Sequence, residues 1–189
     1  MTSEKRFHDK LIIITGAGGN FGREGCAYFA RNGARIAALD KNESALEETV
    51  SIVKNEGAKN IKAFECDVTS VASVESALDE IIRQFGTCPD LLWNNAGYQG
   101  QIKPTLEYSV DDFALVMNIN VNGMFIMMQS VAKRMAAQNI DKNNKDDQKP
   151  YKYSIVNTAS VAALRGTPAM IAYSSSKAAI ISMTVCAAK

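Results

Sequence analysis

Short apolar runs alternate along the chain with segments whose apolar residues recur at helical spacing. Leu11-Ile12-Ile13-Ile14-Thr15 is a β-branched run that ends at Gly16 and reads as a buried strand. Over 23–31, Cys26, Ala27, Tyr28 and Ala30 keep a helical spacing until Asn32-Gly33 stops it. Residues 34–39 predict a second strand closed by Asp40. Asn42 can cap the helix that follows, which runs to Asn55 and ends at Gly57. Residues 61–66 predict a third strand closed by Asp67. Thr69 or Ser70 then opens an amphipathic helix bearing Val71, Val74, Leu78, Ile81 and Ile82, which stops at Gly86. Residues 90–94 predict a fourth strand, 97–110 a loop, and Asp111 or Asp112 begins a long helix reaching about Gln138. Residues 153–158 predict a fifth strand, and from about Ala172 the chain is helical again.

Strands that are apolar throughout need cover on both faces, and helices between them supply it. This pattern predicts an α/β fold with a doubly wound parallel sheet of the Rossmann kind. Right-handed crossovers make 3-2-1-4-5 the simplest strand order. We expect one domain over 1–189. The segment 139–150 is nearly all polar and balanced in charge, and reads as a solvated surface insertion.

Composition narrows the function classes. The chain has 189 residues, with 21 Lys plus Arg against 20 Asp plus Glu, a formal net charge of +1. That balance gives no electrostatic reason to expect nucleic acid or an anionic membrane as partner. The start is polar and mixed in charge, so no signal peptide is expected, and the aliphatic run at 11–14 is too short to span a bilayer. The four cysteines, Cys26, Cys66, Cys88 and Cys186, show no CxxC spacing, which predicts reduced thiols in a cytoplasmic protein and no metal site. The single histidine, His8, lies ahead of the first strand, so proton transfer must use another residue type.

The first strand runs into Thr15-Gly16-Ala17-Gly18-Gly19-Asn20-Phe21-Gly22. A glycine-rich turn from strand to helix lets the backbone approach a pyrophosphate, and the helix N-terminus supplies N–H groups and partial positive charge. No Gly-Lys-Ser/Thr follows, so this is not the phosphate loop of an ATPase. Asp40, about 20 residues on, suits the ribose hydroxyls and would repel a 2′-phosphate, which favours NAD over NADP. Lys41 could soften that repulsion, and Asp40 could instead act as a helix cap. Asp67 and Val68 end the third strand, where they could border an adenine or simply form a turn. Asn94-Asn95-Ala96-Gly97 ends the fourth strand. Its small residues leave room for a flat cofactor, and its asparagine side chains can tie strand ends together.

At the other end of the chain, Tyr173 and Lys177 stand at i and i+4 on one helix face. Ser160 follows the fifth strand, and Asn120 lies within the long helix. Taken singly, each has an ordinary structural explanation. As an ordered set with the glycine turn, Asp40, Asp67-Val68 and Asn94-Asn95-Ala96-Gly97, the chain resembles the short-chain dehydrogenase/reductase family. The turn after the fourth strand, with Tyr98-Gln99-Gly100, is most similar to its xylitol (polyol) dehydrogenase branch.

The resemblance implies an Asn-Ser-Tyr-Lys catalytic set. Tyr173 would be the acid/base, Ser160 would hold the substrate oxygen, and Lys177 would bind the nicotinamide ribose and favour the phenolate. Asn120 would anchor a water relaying protons to Lys177. Cofactor contacts would fall to Gly16, Gly18, Asn20, Phe21, Gly22, Asp40, Asp67, Val68, Asn94, Ala96 and Gly97, with Tyr173 and Lys177. The activity implied is NAD-dependent interconversion of a secondary alcohol, a polyol included, and a ketone. A homo-oligomer, dimer or tetramer, is implied as well. The chemistry is coherent: a free tyrosine has a pKa of about 10, so phenolate at pH 7 costs roughly 4 kcal/mol. A nearby ammonium offsets part of that cost, and the hydride needs a nicotinamide because no side chain accepts it.

Three features depart from the family pattern, one of them a long interval from Asn120 to Ser160 that the polar segment 139–150 accounts for. Asn20 replaces a glycine, at a place where asparagine's tolerance of left-handed backbone would let the turn form. Lys189 closes the sequence soon after Lys177, where the resemblance implies a sixth strand, a substrate-covering loop and a seventh strand. On that reading the fifth strand becomes an open sheet edge, and the pocket lacks one wall and its lid. Either the sequence is then a fragment of a longer product, or the alternative function holds, a catalytically weak or inactive short form that binds nucleotide or a partner.

Overall fold

The computed structural model describes residues 5–140 and 153–189. Five parallel strands form one sheet: β1 (Leu11–Thr15), β2 (Arg35–Asp40), β3 (Ile61–Glu65), β4 (Leu91–Asn94) and β5 (Ser154–Asn157), in the order β3-β2-β1-β4-β5. The order follows the prediction. β1 is central, with Ile12, Ile13 and Ile14 registered against Ile36, Ala37 and Ala38 of β2 and against Leu91, Leu92 and Trp93 of β4.

Because side chains alternate across a strand, β1 feeds two cores. Leu11 and Ile13 face one side, with Leu92, Val74, Leu78, Ile81, Met127 and Val131. Ile12 and Ile14 face the other, with Ile36, Cys26, Leu46 and Val53. All four β1 aliphatics are fully buried, each contributing about 1.5–3 kcal/mol by removal from water. The helices supplying the cover are α1 (Asn20–Arg31), α2 (Glu43–Asn55) and α3 (Val71–Phe85). Caps set their ends: Asn42 accepts from the Ala45 amide at 3.0 Å, and Ser70 from Ser73 at 3.3 Å. Gly86 closes α3 in left-handed backbone at φ +69°.

The long helix differs from expectation. It consists of α4 (Val110–Met117), a π-helical segment (Asn118–Gly123) and α5 (Met124–Ile140). Such a widened turn breaks the helical register locally and is frequent at functional sites, and Asn120 lies inside it. The span Val110–Gln138 is long and apolar enough to cross a membrane. Here Val116, Met124, Met127, Val131 and Met135 along it are packed into the fold. A short α6 (Ala162–Arg165), not foreseen, precedes α7 (Ile171–Ala187). Apart from its first two positions, where α5 ends, the predicted insertion at 139–150 lies outside the described residues.

Among the described residues β5 pairs only with β4, and its Val156 is half exposed. An apolar groove of about 430 Å³ runs beside that edge, bordered by Phe21, Tyr28, Phe29, Trp93 and Val156.

Candidate active site

The loops at the C-terminal ends of the strands enclose two cavities that share Gly16, Asp40, Ala96, Gly97 and Tyr98 as walls. This is the edge of an open parallel sheet where ligands bind, at the point where strand order reverses between β1 and β4.

The glycine turn is built to stay thin. Gly16 has φ +68°, and a Cβ there would stand 2.9 Å from the Ala96 Cα. At Gly22 a Cβ would stand 2.2 Å from the Gly16 carbonyl oxygen, so only glycine lets α1 start this close to β1. Asp40 holds the turn from the side: Oδ2 accepts from the Gly18 amide at 2.9 Å and Oδ1 from the Asn42 amide at 3.0 Å. The carboxylate borders both cavities while doing this. Asn42, not Asp40, caps α2. Asn20 does not take the left-handed backbone expected of it. Asn20 is the first residue of α1, and Asp9 and Ala169 are the positive-φ non-glycines among the described residues. Its tolerance of left-handed backbone is therefore not called upon. No side chain caps α1, and Asn20, Phe21 and Gly22 face the larger cavity at its start.

The smaller cavity, about 270 Å³, is bordered by Asp67 and Val68 as expected, and also by Lys41, Cys66, Thr69, Leu115 and Ile119. One oxygen of Asp67 accepts from the Thr69 hydroxyl at 2.7 Å and from its amide at 2.9 Å. The Thr69 hydroxyl bond, ahead of the amide, holds this carboxyl below the usual range. Burial, offset in part by a hydrogen bond with Ser73, pushes the Cys66 thiol up to about 11, so it stays protonated.

Asn94 and Asn95 occupy different positions. Asn94 is buried and borders neither cavity; its Nδ2 donates to the Met124 carbonyl at 2.8 Å and to Asn157 Oδ1 at 3.1 Å. It ties β4 to α5 and β5 beneath the cleft. Asn95 and Ala96 donate their amides to the Thr15 hydroxyl, both at 2.9 Å. Asn95, Ala96 and Gly97 thereby become the floor of the larger cavity.

That cavity, about 550 Å³, brings Ser160, Tyr173 and Lys177 together with Thr158, Tyr98, Gln99 and the glycine turn. Lys177 is 3% exposed, donates to the Thr158 carbonyl at 2.7 Å, and sits 5.6 Å from the Tyr173 ring centre. Its burial lowers its pKa to about 8. Ser160 Oγ accepts from the Ala162 amide at 3.2 Å where α6 begins. Asn120 is fully buried behind this wall: Oδ1 accepts from the Tyr98 amide at 2.7 Å, and Nδ2 donates to the Tyr98 carbonyl and to Ser176 Oγ. A Cβ at Gly97 would lie 3.3 Å from Asn120 Oδ1 and 3.6 Å from Lys177 Nζ. Asn120 and Lys177 thus both stand close to the residue whose small size the sequence flagged. The sequence reading missed Thr158, Tyr98, Ser176 and Asp112. Tyr98 directly follows the Asn-Asn-Ala-Gly turn and could have been suspected.

Comparison with known proteins identifies the family and the fold. Residues 10–189 match the short chain dehydrogenase family. D-threitol dehydrogenase of Mycolicibacterium smegmatis is 32% identical over 179 residues, covering 95% of this chain and 63% of that protein. Levodione reductase of Leifsonia aquatica is 28% identical over 180 residues, with 95% and 62% covered. The crystal structure of NAD+-bound xylitol dehydrogenase superposes with a TM-score of 0.86 at 42% identity, covering 97% of this chain and 65% of that one. The chain therefore spans less than two thirds of the length of each of these relatives. With the glycine turn, the strand-end acids and the Ser-Tyr-Lys cleft in one continuous site, and the match running from residue 10 to the last position, the chain belongs to the short-chain dehydrogenase family.

Proposed function

We propose that this chain carries an NAD-dependent oxidoreductase site that interconverts a secondary alcohol, with polyols the first class to try, and its ketone. One observation carries the reading: the cavity holding Ser160, Tyr173 and Lys177 runs without a break into the glycine cradle and Asp40. The turn that would take the pyrophosphate of a dinucleotide is kept thin by Gly16 and Gly22, where a Cβ would run into neighbouring backbone. When bound, the nicotinamide supplies the hydride acceptor.

The chain's own residues do the rest. Tyr173, half-buried at the cleft wall, takes the hydroxyl proton. Lys177, its Nζ 5.6 Å from the Tyr173 ring centre, would bind the nicotinamide ribose beside the acid/base. Ser160 offers its hydroxyl to the oxygen where charge develops. Asn120 fixes the backbone of Tyr98 and stands, like Lys177, close to Gly97. Gly18, Asn20, Phe21, Asp67, Val68, Asn94, Ala96 and Gly97 are assigned to the cofactor groove, Asn94 as the tie beneath it. Asp40 accepts from the ribose hydroxyls and disfavours a 2′-phosphate, so NAD is preferred over NADP. The similarity to an NAD+-bound xylitol dehydrogenase supports this choice. We also assign the half-exposed Phe125 on α5 and Val185 on α7 to a homo-oligomer interface. Light scattering that finds a folded monomer at micromolar concentration would remove that assignment.

The test is NADH formation with a panel of polyols and simple secondary alcohols. Tyr173→Phe should lower turnover by about 100-fold or more. Turnover untouched by that change would refute Tyr173 as the base. NAD binding with no turnover on any alcohol or ketone would favour a nucleotide-binding protein instead.

A further inference from the structure

The Asp112 carboxylate is unused in the chemistry above, and it sits in an unusual position. It is 9% exposed, and among the described residues it forms no ion pair. Three neutral donors surround it: the Tyr98 hydroxyl reaches Oδ1 at 3.2 Å, and the Gln101 amide at 2.9 Å and the Tyr108 hydroxyl at 2.6 Å reach Oδ2. Burying a carboxylate without a cation is an expensive way to hold a helix in place. What this one holds is the loop 98–101, two of whose residues, Tyr98 and Gln99, border the reactive cavity.

That loop is pinned at both ends. At Tyr98 both backbone groups bond the Asn120 side chain. At Gln101 the amide bonds Asp112. Between them Gly100 turns at φ +75°, and a Cβ there would stand 2.5 Å from the Tyr108 hydroxyl oxygen and 2.8 Å from Asp112 Oδ2. Farther along, the Lys103 amide bonds the Ala169 carbonyl at 2.9 Å, joining this loop to the one that leads into α7 and Tyr173.

We propose that Asp112 is a positioning residue: its carboxylate gathers Tyr98, Gln101 and Tyr108 so that the 98–101 loop holds Asn120 and the cleft wall in register with Tyr173 and Lys177. The proposal rests on the dehydrogenase reading. The hydrogen bond from Tyr108, ahead of that from Gln101, holds the Asp112 carboxyl below the usual range, while burial first and Asp112 second raise Tyr108 to about 12. One anion and neutral phenols are therefore the stable state. Two oxygens receive three donors here; asparagine would keep one acceptor oxygen but lose the charge that strengthens all three bonds, and Tyr98 would stay bonded only by turning its hydroxyl to accept the amide N–H.

Asp112→Asn tests it, with Tyr108→Phe as a milder variant. Expected for Asp112→Asn is a fall in kcat of about tenfold or more, because small misplacements near reacting groups are costly. Affinity for ADP, which lacks the nicotinamide half, should stay within about twofold. Amide hydrogen exchange at Gln101 should accelerate, with Tyr108→Phe showing a smaller effect in the same direction. An unchanged kcat, or unchanged exchange at Gln101, would overturn the proposal. So would a parallel collapse of kcat, ADP affinity and melting temperature, which marks a purely structural role. If the wild-type chain turns over no alcohol, the dehydrogenase reading falls on its own. Exchange at Gln101 then decides whether Asp112 holds the loop: acceleration in Asp112→Asn supports it and no change refutes it.

Discussion

Lys177 on α7 donates to the main-chain oxygen of Thr158, at the end of β5, at 2.7 Å. A buried cation is thus held by a neutral carbonyl, and among the described residues it makes no ion pair. Desolvation lowers its pKa from 10.5 to about 8. The unfolded chain therefore binds more protons between those values, and this group's contribution makes stability rise with pH across that window. Below about pH 8 the full cost of burying the charge is present. Lys177→Met should stabilise the fold at pH 7 by about 1–3 kcal/mol while abolishing activity. The advantage should shrink as pH rises from about 8 to 10.5. Chemical denaturation of both proteins across pH 7 to 10.5 measures it; a variant less stable than wild type, by an amount that stays constant with pH, would contradict the account.

The turn between β1 and α1 separates two neighbouring glycines. A Cβ at Gly22 would stand 2.2 Å from the Gly16 oxygen, whereas one at Gly19 would make an ordinary 3.4 Å contact with the same atom. Gly22→Ala should destabilise by about 1–3 kcal/mol and weaken NADH binding. Gly19→Ala should leave melting temperature nearly unchanged. Equal behaviour of the two variants would mean that the turn relaxes more freely than its packing indicates.

Asp40 braces the turn and faces both cavities, so its removal should act twice. Asp40→Ala loses a charged acceptor for the Gly18 amide and, on the proposed reading, for the ribose hydroxyls. NAD affinity should fall about tenfold or more, and the preference over NADP should narrow. Titration of wild type and variant with both cofactors checks this. A wild type that prefers NADP would reverse the assignment of Asp40.

Asn94 lies beneath the cleft, joined to the Met124 carbonyl and to Asn157. Asn94→Ala removes two hydrogen bonds at a buried position and opens a small cavity, so a loss of about 2–4 kcal/mol is expected from equilibrium unfolding. Asn95→Ala, at a half-buried position bonded to the Thr15 carbonyl, should cost less. The reverse order would place the tie in the wrong residue.

Local patterns that bear their own physics were readable in advance. The apolar run at 11–14 specified a central buried strand because nothing but a two-sided core satisfies four successive aliphatics. Glycine and asparagine signals placed the turns after β1 and β4. The stop at Gly86 and the caps at Asn42 and Ser70 fell where their chemistry put them. Less visible was the π-helical segment at Asn118–Gly123, since the apolar spacing of one helix passes smoothly across it. Asn20 was given a backbone role that α1 makes unnecessary.

Sequence alone determined the layered α/β fold and its strand order, and a family resemblance carried by the order of its motifs proposed Gly16, Asp40, Ser160, Tyr173 and Lys177 as one site, residues that border one cavity in the fold. Those features depend on period, residue type and order, which are written along the chain. Only the tertiary structure decided that Asn94 ties strands while Asn95 floors the cleft, that Thr158 receives Lys177, and that Asp112 gathers the loop beside Asn120. Those partners stand far apart in sequence or act through backbone atoms that every residue possesses, so no side-chain pattern announces them.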